Sequence, residues 1–143
     1  MNNLYEDDII AWSEQQAALL RRGLWSELDI DNIAEEIEDV GKSEKRELQS
    51  RQTVLVTHLL KWKYQPGRRG RSRVKTIREQ RTAVAEDLVQ YPHLKPLLSN
   101  PQWLGQVYRR ARMEAEAQTH LQDLPDELPW SAEQILEPDF FPE

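Results

Sequence analysis

Between Ile30 and Tyr64 the apolar residues Ile30, Ile33, Ile37, Val40, Leu48, Leu55, Leu59 and Trp62 recur at steps of three, four and their sums. That spacing lines one face of an α-helix and is incompatible with the two-residue alternation of a half-buried strand. Two charged residues interrupt the stripe. Counted from Glu36 at ~100° per residue, Ile37 and Leu55 lie near ~100°, Trp62 and Glu44 near ~80°, Leu48 near ~120° and Arg51 near ~60°. A carboxylate and a guanidinium therefore stand where a core is expected. An isolated buried charge costs several kcal/mol, so the pattern predicts that Glu44 and Arg51 are paired, hydrated in a cavity or held at an interface.

The stripe keeps its phase across Gly41, which favours one continuous or gently kinked helix; the alternative is a break at Gly41 with Ser43 capping a second helix. A continuous helix of 35 residues would be ~52 Å long. A compact chain of this length has a diameter of ~37 Å. The sequence thus predicts that the helix end is covered either by the terminal segments or by a second subunit, and a homo-oligomer is expected.

The flanking elements are helical too. Glu6 to Arg22 carries Ile9, Trp12, Leu19 and Leu20 on one face and stops at Gly23, and Asp29 is placed to cap the long helix. Gln65-Pro66-Gly67 ends the long helix. Ser72 is placed to start the next, which runs to about Tyr91 with Val74, Ile77, Val84 and Leu88 inward, and Arg81 falls on that same face. Asn100-Pro101 opens a further helix to about Gln118, and Ser131 to Gln134 reads as a capping box in a proline-rich tail. No strand pattern is present. The expected fold is an all-α, single-domain bundle (1–143) organised around one long helix, about 30–64, with a short C-terminal helix. The five tryptophans are expected mostly as core anchors at helix ends, and Phe140 and Phe141 as tucked back onto the bundle.

Composition narrows the function classes. The chain has no cysteine, which excludes disulfides, thiolate metal sites and cysteine nucleophiles. Its start is acidic and lacks a basic region followed by an apolar core, and no apolar run reaches the ~20 residues a membrane span needs. A cytoplasmic protein without membrane contact is expected. The net charge of −6 is unevenly distributed. Residues 6–39 hold eleven acids against Arg21 and Arg22, whereas 68–81 hold seven bases against Glu79.

Three constellations follow. Glu44, Arg51 and Arg81, with Arg78 and His58 nearby in the pattern, form a candidate ligand- or partner-binding set, in which Glu44 is expected to pair with Arg81, Arg51 or both, because guanidinium forks match carboxylate oxygens. The basic segment Arg68, Arg69, Arg71, Arg73 and Lys75 could follow phosphates, but no aromatic residue is interleaved for base stacking, so it is expected instead to meet the acidic 6–39 face of the same or a neighbouring subunit. Glu36, Glu44, Glu47 and His58 share a side of the long helix, yet the Glu-x-x-His pairs of di-metal bundles are missing. No metal or cofactor is expected, and the pattern names no catalytic residue.

Ordered blocks carry a resemblance. Ala11-Trp12 with Glu14 to Arg21, Ala34 to Glu38 with Gly41 to Leu48, His58 to Trp62 with Tyr64-Gln65-Pro66, Thr76 to Arg81, and Pro129-Trp130 with Glu133 to Leu136 and Pro138 to Pro142 resemble the bacterial "domain of unknown function 29" family, frequent in cyanobacteria. The resemblance covers almost the whole chain and implies an all-helical domain without an established activity. Arg73 stands where many members carry Trp, so it lends the basic loop no aromatic role. The expected function is a small self-associating interaction or adaptor module. A nucleic-acid or anion binder through 68–81 is the alternative, and an enzyme or metal protein using Glu44, Arg81, Glu36 and His58 a second.

Overall fold

A computed structural model describes residues 3–143. It contains six α-helices among the described residues: α1 (Leu4–Asp7), α2 (Ile9–Arg21), α3 (Ile30–Tyr64), α4 (Arg71–Gln90), α5 (Pro101–Thr119) and α6 (Ala132–Leu136), with 3-10 turns at Trp25–Glu27, Pro66–Arg68 and Pro92–Ser99. No strand occurs among them. Among the described residues no helix is long and apolar enough to cross a membrane.

The long helix is unbroken. Residues 30–64 are helical throughout, and Gly41 sits in the helix interior without a positive φ and with open space around the position of a Cβ. Glycine there costs backbone entropy and fills nothing. Gly41→Ala is therefore expected to raise stability by about 0.5–1 kcal/mol in chemical denaturation. A loss on substitution would show that the helix is interrupted there.

Contacts gather into two compact units, residues 1–44 and 45–143, with α3 beginning in the first and ending in the second. In the first unit Asp8, rather than Glu6, starts the long part of the expected first helix: its carboxylate accepts the Ala11 N–H at 3.1 Å. The helix ends on Gly23 at φ +72°, where Leu24 N–H donates to Leu19 O (3.0 Å) and Gly23 N–H to Leu20 O (3.1 Å). This paired closure needs a left-handed residue, which glycine adopts without a Cβ penalty. The α2–α3 junction is polar. Trp12 Nε1 donates to Asp29 Oδ2 at 2.9 Å, and Asp29 N–H donates to Gln16 Oε1 at 2.9 Å. Trp12 and Gln16 are the buried residues of α2.

The second unit carries the main core. Leu55, Val56, Leu59 and Leu60 of α3 pack with Ile77 of α4, Val107, Tyr108, Ala111 and Ala115 of α5, and Leu124, Trp130 and Ile135 of the C-terminal segment. Thr57 Oγ1 donates to its own helix at Thr53 O (2.7 Å) and lies 3.4 Å from Ala111 O, so small residues bring α3 and α5 together. A second cluster joins Leu48, Val84, Leu94 and Leu98. The caps at α5 and α6 form as the sequence predicts: Asn100 Oδ1 accepts from Gln102 N–H and Trp103 N–H, and Ser131 with Gln134 makes the reciprocal box. Ser72 does not cap α4; Gly70 stands at that position without a side-chain bond.

The C-terminal tail folds back. Phe141 lies 5.0 Å from Trp62 and Phe140 6.2 Å from Trp130, ring centre to ring centre. Four tryptophans are buried or half-buried, but Trp25 is 62% exposed and anchors no core. The apolar stripe of α3 is likewise core only in its second half. Leu48, Leu55 and Leu59 are fully buried, whereas Ile30, Ile37 and Val40 are 65%, 67% and 71% exposed.

Candidate functional site

Arg81 is the inward charge that the pattern of α4 predicts, and it is 5% exposed. Its partners differ from the expected carboxylate. Nε donates to Ile135 O at 2.8 Å and Nη1 to Pro138 O at 3.3 Å, and the guanidinium lies 5.5 Å from the centre of the Phe141 ring. Ile135 O is one of the unpaired acceptors that the end of α6 leaves behind, and Pro138 O lies just beyond the cap residue Glu137. Burial lowers the guanidinium pKa, while the nearby charges of Glu137 and Asp139 oppose that shift. Arg81 is thus the clasp that holds the C-terminal segment on α4.

Arg51 is also accounted for without Glu44. Glu47, one turn earlier on α3, takes Nη2, and Asp87 Oδ2 of α4 lies 3.0 Å from Nε, close but off the line of a hydrogen bond. The expected pairing of Glu44 with Arg51 or Arg81 is therefore corrected: Glu47 and Asp87 serve one guanidinium and backbone carbonyls the other. Glu44 itself is half-buried at the end of the first unit. Asp87 follows the inward stripe of α4 by three residues from Val84, a spacing that points to it in retrospect.

The basic segment is only partly free. Arg69 Nε donates to Trp62 O at 2.8 Å, its guanidinium sits 5.3 Å from the centre of the Trp62 ring, and Nη2 reaches Pro142 O at 3.4 Å. Arg73 Nη1 donates to Lys61 O at 3.0 Å and Nη2 to Gln65 Oε1 at 2.6 Å. Both arginines bind oxygen acceptors at the C-terminus of α3, where orphan carbonyls and the helix dipole favour cations. Burial lowers the Arg73 pKa, with Arg68 adding to the effect. Arg68, Arg71, Lys75 and Arg78 remain exposed.

His58 is half-buried, with Nδ1 2.9 Å from Val54 O of its own helix. Burial pushes its pKa down, and Lys61 and Arg73 act in the same direction. Glu36 accepts the Tyr5 hydroxyl at 2.6 Å, a bond that raises the tyrosine pKa to about 12. No group of three His, Asp or Glu side chains suited to a metal occurs among the described residues.

Two adjoining hollows lie along the outer face of α4. One, of about 720 Å³, is lined by Arg78, Thr82, Ala85 and Val89 with Leu136 and Pro138, and Arg81 borders it. The other, of about 540 Å³, is lined by Trp62, Arg69, Arg71, Val74, Lys75 and Arg78. Arg78 belongs to both.

The fold and these surfaces define an all-helical protein whose C-terminal tail is clasped by an arginine. The chain belongs to the family described as Domain of unknown function DUF29, whose model matches residues 4–141. No curated protein and no solved structure matches it significantly.

Proposed function

We propose that this chain is a small protein-interaction module that self-associates through its first 44 residues. One observation carries the reading. Seven of the ten exposed large hydrophobics among the described residues fall there: Ile9, Ile10, Leu20, Trp25, Ile30, Ile37 and Val40. Scattered single apolar residues on a surface need no explanation, but seven within 44 residues support the reading of an interaction surface. Ile30, Ile33, Ile37 and Val40 also follow the alternating three-and-four step of a helix-pairing seam.

Magnitudes set the expected strength. Burying five such side chains is worth on the order of 10 kcal/mol. Association costs ~4–15 kcal/mol in lost freedom. The balance is about −6 kcal/mol at its most favourable, which sets association at tens of micromolar or above rather than at nanomolar concentration. A nucleic-acid role for 68–81 is disfavoured because Arg69 and Arg73 are spent on α3 and the tail, and the aromatic ring of that region, Trp62, is covered by Arg69.

Ile37→Asp with Val40→Asp is the direct test. Both sites are exposed, so helicity and melting temperature should hold while light scattering reports a fall to the monomer mass. A double variant that keeps the wild-type mass would refute the assignment of the face.

A further inference from the structure

We infer that the groove along α4 receives the start of α3 from a second copy of this chain. The inference rests on the self-association proposed above and names the surface that answers it. The floor of the groove is apolar, from Val74 at one end to Ala85, Val89, Leu136 and Pro138 at the other. Val89 is 83% exposed, more than any other large hydrophobic described. Arg71, Val74, Arg78, Ala85 and Val89 all lie on one side of the helix, so the groove is a continuous track. It is ~30 Å long, and Ile30 to Glu44, at ~22 Å, fits within it.

Charge selects the occupant and its direction. The end near the start of α4 presents Arg69, Arg71, Lys75 and Arg78 against Glu79, which lies 3.8 Å from Lys75, and the far end presents Glu86 and Asp139. The start of α3 has the opposite order: Asp31, Glu35, Glu36, Glu38 and Asp39 come first, and beyond them Lys42, 3.6 Å from Asp39, is joined by Lys45 and Arg46 against Glu44. A second copy laid parallel to α4 sets acids against bases at one end and Lys42 against carboxylates at the other. The separations agree, since Asp31 to Lys42 and Lys75 to Glu86 each span ~16 Å of helix. Pairing like with like is disfavoured by comparison, because it would bring together two segments that each carry eleven acids against two bases over residues 6–39.

The test uses the full chain and sedimentation equilibrium at low salt. Arg71→Glu, Lys75→Glu and Arg78→Glu together alter only exposed side chains, so circular dichroism should be unchanged. They should weaken association at least tenfold, as should Val89→Asp alone. Mixing that triple variant with a chain carrying Glu35→Lys and Glu38→Lys should restore association that neither shows alone. If the groove variants assemble like wild type while Ile37→Asp with Val40→Asp dissociates, the groove assignment is overturned and self-association stands. A monomeric wild type overturns both.

Discussion

Arg81→Ala is expected to cost about 2–4 kcal/mol, which for a chain of this size lowers the melting temperature by roughly 5–15 °C. The substitution leaves Ile135 O and Pro138 O without their donor and removes the cation that faces Phe141. Ile135 O is buried, and a buried acceptor deprived of its partner forfeits its full desolvation cost, about 1–3 kcal/mol, whereas Pro138 is exposed and its carbonyl can turn to water. Relief from burying the guanidinium offsets part of that loss. Arg81→Lys should recover little, because an ammonium cannot reproduce a fork that serves two carbonyls. Arg81→Met keeps much of the volume and separates packing from hydrogen bonding: a melting temperature near that of wild type would show that the clasp is only a space filler.

Trp130→Ala should be at least as damaging, at about 3–5 kcal/mol, the range for deleting a large aromatic from a core. Trp130 is 8% exposed, belongs to the cluster that includes Tyr108 and Ile135, and meets Phe140. The side chain lies outside the long helices, in a segment rich in proline. A cost below about 1 kcal/mol would place the segment among surface decorations. Denaturant unfolding followed by circular dichroism reads the change without depending on tryptophan emission.

Much of the fold was legible because helix periodicity is a local signal. The unbroken α3, the glycine stop at Gly23, the Asn100 and Ser131 caps and the inward setting of Arg81 all follow from residues a few positions apart. Partners were less legible, since they come from segments distant in sequence. The acceptors of Arg81 are main-chain carbonyls 54 and 57 residues away, and carbonyls leave no trace in residue identity. Asp87 is less conspicuous than Glu44 because the latter lies in the stripe itself. The stripe also looks alike whether a protein's own core or a partner covers it. Leu48 to Leu59 proved to be core and Ile30 to Val40 surface, although both keep the same phase. The basic run illustrates the same ambiguity: two of its arginines are local caps, which charge density alone does not distinguish from a binding patch.

Sedimentation equilibrium of the unaltered chain tests the central claim most directly. The account predicts a mass that rises above the monomer across micromolar concentrations, and association that weakens as salt screens the acidic and basic faces from one another. A single monomeric species at every concentration, at low and high salt alike, would contradict it.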